Sequence, residues 1–478
     1  MPAETKTFYE RFSAWTRNSI TLRIISIAIL VLLLLIPTSM IESLIQERQS
    51  YRQQAIRNVS SSWAEAQTLA GPILTIPYQV TYRNNNDQLV ESTEYAHFLP
   101  DLLQIETSIS PETRRRGIYE AVVYSAQVEF KGSFPAPDFE TLNINPGAVF
   151  WKDAFIELGI PDMRGIQQRI LLQWQEKEFP FDPGVGLGKV LSSGVSVGVP
   201  LDSSSHSNNF SFNVELNGSS SLGFLPLGKT TEVQANSSWS NPSFVGAFLP
   251  DDQDVNDGGF SAKWEVLHLN RNFPQAWKGE QYFFPLSDVA PSEDDYLYPP
   301  YRAEVEVQSS VQQYAFGVNL LMPVDQYQKS MRSAKYAIMF ISLTFLTFFF
   351  VEILNRKRIH PVQYLLVGLA LCIFFTLLLA ISEHTTFNLA YIISGILVTA
   401  LIAVYVKAVF KNQRLTTLLT LLLLLMYGFI FTLLQLQDYA LLIGSIALFI
   451  ILAVVMYISR TIDWYAVADP EEETEDKD

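Results

Sequence analysis

Gly194-Val195-Ser196-Val197-Gly198 has the spacing of a nucleophile elbow, in which a serine on a strand-to-helix turn attacks a carbonyl with a histidine as base. That chemistry needs a helix after the serine and a histidine beside it. Here the stretch is Gly/Ser-rich, no amphipathic helix follows, and the nearest histidine, His206, lies in another polar segment. The motif therefore reads as loop or strand. Asp251, Asp252, Asp254, Asn256 and Asp257, ahead of Gly258-Gly259, offer oxygens to a hard cation. Counted from Asp252, an EF-hand needs glycine where Asp257 stands and glutamate where Lys263 stands, so an exposed turn is expected. The histidines His97, His206, His268, His360 and His384 are too scattered for a sequence-local zinc site. Arg114-Arg115-Arg116 could meet lipid phosphates. Bracketed by Pro111 and Gly117, it reads as a solvated hairpin tip. No catalytic, cofactor-binding or metal-ligating set emerges, and no cofactor is implied.

The elements that must position any chemistry are dominated by six apolar stretches, one near the start and five near the end. Expected spans are 24–41, 336–354, 362–381, 387–406, 415–434 and 440–459. Each is close to the ~20 residues a helix needs to cross ~30 Å of hydrocarbon. No Asp, Glu, Lys, Arg or His falls near the middle of any of them. Glu352 falls near one end of the second span, and Glu383 and His384 lie just beyond the third. Ion-coupled transporters and proton relays place such groups at mid-depth. Ser394, Gly395 and Thr399 suit close helix packing.

Lys6, Arg11, Arg17 and Arg23 precede the first span, and Arg356, Lys357 and Arg358 follow the second. Lys407, Lys411 and Arg414 lie between the fourth and fifth, and Arg460 follows the sixth, whereas 382–386 and 435–439 have no Lys or Arg. By the positive-inside rule both termini (1–23 and the acidic tail 460–478) face the cytoplasm, and residues 42–335 lie outside. Trp15, Trp464 and Tyr465 stand where interfacial anchors belong. The first span also resembles a signal peptide. Thr38-Ser39-Met40-Ile41-Glu42 supplies no small-x-small cleavage site, so a retained anchor is expected.

The single cysteine, Cys372, sits in the third span, so the outside region must be stable through its own core. The net charge of −15 owes part of its size to Glu471–Asp476, read as a disordered tail, and argues against nucleic acid as a partner. Ile41, Leu44, Ile45, Tyr51, Ala55, Ile56, Val59 and Trp63 recur at helical spacing, which extends the first helix into an amphipathic stalk over 42–70. A second stalk, 323–335, starts at Pro323-Val324 with Asp325 as its cap and runs into the second span. Between them the period changes to two, as in Phe210/Phe212/Val214/Leu216, Ala303/Val305/Val307 and Leu103/Ile105/Thr107/Ile109. A Gly/Ser/Asp-rich stretch, 182–209, divides the region into two β-sandwich-like domains, 71–190 and 205–322. Phe98-Leu99-Pro100-Asp101 recurs as Phe248-Leu249-Pro250-Asp251, either through a diverged duplication or through a chance match of short motifs.

The chain resembles the CreD family, inner-membrane cell-envelope integrity proteins of bacteria linked to colicin tolerance. The resemblance lies in Glu47-Arg48-Gln49-Ser50-Tyr51-Arg52, Ala70-Gly71-Pro72-Ile73-Leu74 and Arg116-Gly117-Ile118-Tyr119. It continues in Asn241-Pro242-Ser243-Phe244, Phe248-Leu249-Pro250, Pro323-Val324-Asp325-Gln326-Tyr327, Arg332-Ser333-Ala334-Lys335-Tyr336 and His360-Pro361-Val362-Gln363-Tyr364. It implies a multi-pass inner-membrane protein, induced by a two-component system, that affects envelope integrity. It supplies no catalytic residues. The expected fold class is an α-helical polytopic membrane protein of six spans, one plus five, with a large β-rich periplasmic region. The expected function is a non-enzymatic scaffold or binding module. Lipid or envelope-polymer handling is the alternative, and a membrane-bound hydrolase comes third. Expected partners are the phospholipid bilayer and other envelope proteins or lipids.

Overall fold

A computed structural model describes residues 20–83, 87–186, 190–202, 207–284, 286, 311–320, 322, 326–355, 359–436 and 439–460. The strand expected over Ala303–Val307, the position of His206 and the expected Asp325 cap lie outside these residues. The chain divides into two compact units, Arg52–Pro323 and the remainder.

The helices are α1 (Ile20–Trp63), α2 (Gln326–Lys335), α3 (Ala337–Leu354), α4 (Pro361–Ser382), α5 (Phe387–Phe410), α6 (Gln413–Gln435) and α7 (Ala440–Ser459). Among the described residues, α1 and α3–α7 are the six long and apolar enough to cross a membrane. The first expected span and its stalk form one helix of 44 residues, about 66 Å at 1.5 Å per residue. It ends at Trp63, and the expected stalk residues from Gln67 onward are strand instead. The helix expected to run unbroken from 323–335 into the second span is divided at Tyr336, between α2 and α3.

In the helical unit, Leu34 of α1 is fully buried against Gly368 of α4, where a Cβ would come within 2.2 Å of the Leu34 side chain. Phe340, Phe374, Tyr391 and Tyr427 interlock at the centre, with ring centroids 4.6–6.3 Å apart. Asn412 caps α6 by accepting from the Arg414 and Leu415 amides. Long apolar side chains such as Leu389, Ile393, Ile396, Leu401 and Val404 on α5 point outward. Helix α7 buries none of its residues. Apolar surface on that scale is stable only where hydrocarbon replaces water.

The β unit has seventeen strands among the described residues. They are β1 (Gln67–Arg83), β2 (Leu89–Phe98), β3 (Leu102–Arg116), β4 (Tyr119–Pro135), β5 (Phe155–Gly159), β6 (Leu171–Trp174), β7 (Lys177–Pro180) and β8 (Asp182–Pro183). There follow β9 (Gly194–Gly198), β10 (Ser207–Ser219), β11 (Ser221–Phe224), β12 (Thr230–Ser237), β13 (Pro242–Gly246), β14 (Asp252–Asn256), β15 (Gly259–Leu267), β16 (Ala276–Lys278) and β17 (Phe316–Leu320). One sheet runs β13-β17-β11-β1-β5-β9-β8, with β2 on β1 and β16 on β2; the other runs β14-β15-β12-β3-β4-β10-β6-β7.

The two described runs of period two, in β3 and β10, lie in the second sheet. Phe210, Phe212, Val214 and Leu216 face the core, and Phe212 stacks on Phe130 at 4.8 Å. Strand β1 differs, because every residue from Gln67 to Tyr78 is buried. Both of its faces are covered, so its sequence shows no alternation.

The boundary expected at 182–209 does not separate two sheets. Strand β10 pairs with β4 over thirteen residues, β11 pairs with β1, and β12 pairs with β3. Both sheets draw on 71–190 and 205–322, and one apolar core runs through both segments. The short-motif likeness also takes a different form. Phe98-Leu99-Pro100 leads into β3, and a copy not picked out from the sequence, Phe224-Leu225-Pro226, leads into β12. These two strands lie side by side and parallel, joined at their starts by Lys229 N–H to Pro100 O at 2.8 Å.

The strands approach closely at Gly132, opposite both Leu103 and Phe210. A Cβ there would lie 2.1 Å from Leu102 O and 2.7 Å from the Phe210 ring. Gly132→Ala should therefore cost about 1–3 kcal/mol through overpacking. The check is the urea midpoint for protease protection of the β unit in the full-length protein. Gly117→Ala makes a matched control for backbone strain alone, since φ is +64° there and no atom lies within 4 Å of its Cβ position.

Candidate functional site

The β unit buries two titratable side chains in one hydrogen-bonded row. Antiparallel pairing sets Thr75 of β1 directly opposite His97 of β2, and Ile73 opposite Glu157 of β5. His97, Thr75 and Glu157 therefore share one face of the sheet. All three are fully buried. Thr75 Oγ1 lies 3.0 Å from His97 Nδ1 and 2.9 Å from Glu157 Oε2. The Gly186 N–H donates to Glu157 Oε1 at 2.7 Å. Trp277 covers the imidazole at a centroid distance of 5.2 Å.

A threonine has one proton to donate, so Thr75 donates to one neighbour and accepts from the other. Burial pushes the Glu157 carboxyl up, against the pull of its Thr75 and Gly186 hydrogen bonds. Burial also pushes the His97 imidazole down to about 3, with a small opposing pull from the Gly279 backbone. Both shifts favour the uncharged forms. Thr75 Oγ1 donates to Glu157 Oε2, which leaves it to accept from His97 Nδ1–H.

Ser196 lies on β9 directly opposite Glu157 and on the same face. Three strand steps separate it from His97, roughly 14 Å at about 4.8 Å per step. The five-residue motif is strand β9, not the strand-to-helix turn that a nucleophile elbow needs. The aspartates at 251–257 form edge strand β14 and its turn. Asp251 Oδ2 accepts from the Glu265 amide at 2.7 Å, and Asn256 Oδ1 accepts from Gly258 N at 2.9 Å. Among the described residues, no group of three or more His, Cys, Asp or Glu is placed to hold a metal ion. His360 and His384 are exposed, His268 is half-buried, and all three are well separated in the sequence from buried His97.

The arginine run does end the β3–β4 hairpin, but Arg114 is not wholly solvated. Its guanidinium stacks 3.8 Å over Trp63 at the end of α1. The Trp63 indole N–H donates to Tyr124 O at 3.3 Å. Arg164 Nη1 donates to Ser61 O at 2.6 Å and Nη2 to Asp162 Oδ2 at 2.7 Å. Asp162 in turn accepts from the Glu65 amide, and its Arg164 hydrogen bonds hold its carboxyl below the usual range. Arg114 and Arg164 thus fasten the last turn of α1. A further buried cation, Arg271, was not singled out from the sequence. It stacks 3.9 Å over Phe273, donates to Phe273 O at 2.7 Å and Leu227 O at 3.1 Å, and is pushed down to about 10 by burial.

In the helical unit, Glu383 after α4 gathers α1 and α2. Arg48 lies 3.7 Å from it, and the Tyr327 hydroxyl donates to it at 3.3 Å. At the other end of the spans, Arg23 Nη1 donates to Glu352 at 3.2 Å and the Tyr364 hydroxyl at 2.9 Å. Arg23, expected just before the first span, lies within α1.

Fold and sites together define a polytopic membrane protein carrying a two-sheet β unit whose buried polar groups are satisfied largely internally. The sequence profile described as "Inner membrane protein CreD" matches residues 19–465, and the chain belongs to that family. It is 35% identical over 446 residues to the Inner membrane protein CreD of Escherichia coli (strain K12), covering 92% of each chain. Among solved structures, two of an M1 zinc metallopeptidase from Deinococcus radiodurans show a faint likeness. The first, a substrate-bound mutant, has 12% identity, 35% of this chain and 39% of that chain covered, and a TM-score of 0.17. The second has 9% identity, 35% and 38% covered, and a TM-score of 0.16. At those scores the likeness carries no argument.

Thr75→Val keeps the shape but strands His97 Nδ1 and Glu157 Oε2, so it should cost about 1–3 kcal/mol. Pulse proteolysis of the full-length protein in urea measures this. The pH dependence has two opposed parts. The folded pKa of His97, about 3, lies below its ordinary 6.5. Its contribution is complete above pH 6.5 and is lost as the pH falls toward 3, by up to about 1.4 kcal/mol per unit. Glu157, raised, contributes below its ordinary 4.5 and loses that contribution as the pH rises through its folded value. His97→Gln should flatten the acid limb of the stability profile; an unchanged slope would assign that limb to other groups.

Proposed function

We propose that the chain is a non-enzymatic protein of the bacterial inner membrane that supports cell-envelope integrity. In this reading the β unit is a periplasmic scaffold or binding module, and both termini are cytoplasmic. The observation that carries it is the family match over residues 19–465, which takes in the six apolar helices and the β unit alike. Lys and Arg placement supports the orientation, since Arg356–Arg358, Lys407, Lys411, Arg414 and Arg460 fall at alternate ends of the successive spans in the sequence, and 382–386 and 435–439 hold none. The closed His97–Thr75–Glu157 row supports a structural role, because a reacting group needs access to substrate. Phospholipid and other envelope components are the proposed partners.

A second reading, lipid handling, is favoured by one feature of the helical unit. An apolar groove of about 810 Å³ lies between α3, α6 and α7, lined by side chains such as Phe350, Leu422 and Ile451. It would accept an acyl chain.

Reporter fusions at Lys411 should behave as cytoplasmic and at Glu383 as periplasmic; a periplasmic signal at Lys411 would refute the orientation. Ser196→Ala should leave the detergent and colicin sensitivity of a complemented deletion strain unchanged. Loss of complementation by a variant that accumulates normally would reopen the hydrolase reading. In-cell photocrosslinking from exposed β-unit positions tests the scaffold role, and capture of lipid alone would favour lipid handling.

A further inference from the structure

At one end of the spans, α1, α3 and the start of α4 enclose a cavity of about 350 Å³. Arg23, Ser26, Ile27, Glu352, His360 and Tyr364 line it. Glu352 is two residues from the end of α3, about 3 Å from the helix terminus along the axis. His360 immediately precedes α4 and closes its first turn, accepting from the Val362 amide at 3.3 Å. The cavity therefore lies at headgroup level, and its apolar wall on α1 continues toward the hydrocarbon through Ile27 and Leu30. We propose that it holds the headgroup of a zwitterionic phospholipid bearing a primary ammonium, with the ammonium on Glu352 and the phosphate on Arg23.

The charge arrangement selects this class. Arg23 and Glu352 stand 3.2 Å apart and sum to zero. A headgroup of net negative charge would meet the carboxylate, and a simple cation would meet the guanidinium. A headgroup carrying both signs a few ångströms apart matches both. Glu352 is 3% exposed and, among the described residues, accepts once on each oxygen, whereas a carboxylate accepts about four hydrogen bonds. A primary ammonium has three N–H donors to offer it. Ser26, whose hydroxyl donates to Leu22 O at 2.8 Å, has lone pairs left for a second acceptor contact. A quaternary ammonium has no N–H and cannot make these bonds. The site is separate from the groove between α3, α6 and α7, and it does not depend on which face of the membrane is cytoplasmic.

The test uses the full-length protein in mixed nanodiscs of phosphatidylethanolamine and phosphatidylcholine with matched acyl chains, followed by native mass spectrometry of retained lipid. Phosphatidylethanolamine should be retained at least tenfold over phosphatidylcholine. Glu352→Gln should reduce that preference to under twofold. Ser26→Leu fills the cavity without touching the ion pair, and should abolish retention in a protein that stays monodisperse; it serves if Glu352→Gln fails to fold. Equal retention of the two lipids by the unmodified chain overturns the proposal. So does undiminished preference in Glu352→Gln, undiminished retention in Ser26→Leu, or displacement of both lipids by phosphatidylglycerol.

Discussion

Strand β1 is the constraint on which the β unit depends. Its first residues pair in parallel with β11, its remainder pairs antiparallel with β2, and its other edge pairs with β5. Residues 67–78 are buried on both faces. A strand so enclosed has no route for its backbone groups to reach water, so every partner must be in place before it is stable. The row of His97, Thr75 and Glu157 follows from the same pairing, because register alone sets Thr75 against His97. The halves of the sequence are joined through this strand and through β10 on β4. That is why a polar stretch resembling a linker does not separate two domains.

Much of the architecture was legible in the sequence where the physics is local. Spans depend on a run of apolar residues, and the last five apolar helices fall within a few residues of where length and composition put them, while the first runs on past its expected span to Trp63. Strands with one face in water show their period, as Phe210 to Leu216 do. Strand β1 shows none, because both faces are covered, and its pairing with β11 joins residues 67–69 to 222–224. No local pattern encodes such a partner. The likeness between Phe98-Leu99-Pro100 and Phe224-Leu225-Pro226 was open to view. Its meaning depended on knowing that β3 and β12 are neighbours.

The candidate sites were legible in part. The missing helix and histidine argued against a nucleophile at Ser196, and the structure supplies the spatial reason in the strands between it and His97. The aspartates at 251–257 read as a turn and form a hairpin edge. His97 and Glu157, sixty residues apart, carried no signal as a pair. Neither did Arg23 and Glu352, which meet where α1 packs on the bundle with Leu34 seated on Gly368. Side chains that matter through long-range pairing are hidden from spacing arguments. The glycine that permits the approach is the nearest thing to a trace they leave.

The interleaving of the two halves also orders events in time. Strand β1 leaves the ribosome early, yet its parallel neighbour β11 follows roughly 150 residues later, and β17, which completes that edge, later still. The apolar faces of the first sheet must wait through most of the synthesis of the β unit, in a chain already anchored by α1. Strand β17 ends at Leu320 and the next membrane span begins at Ala337. Closure of the sheet and arrival of the second span are thus nearly simultaneous, and this chain has a long period of vulnerability followed by a short, concerted finish.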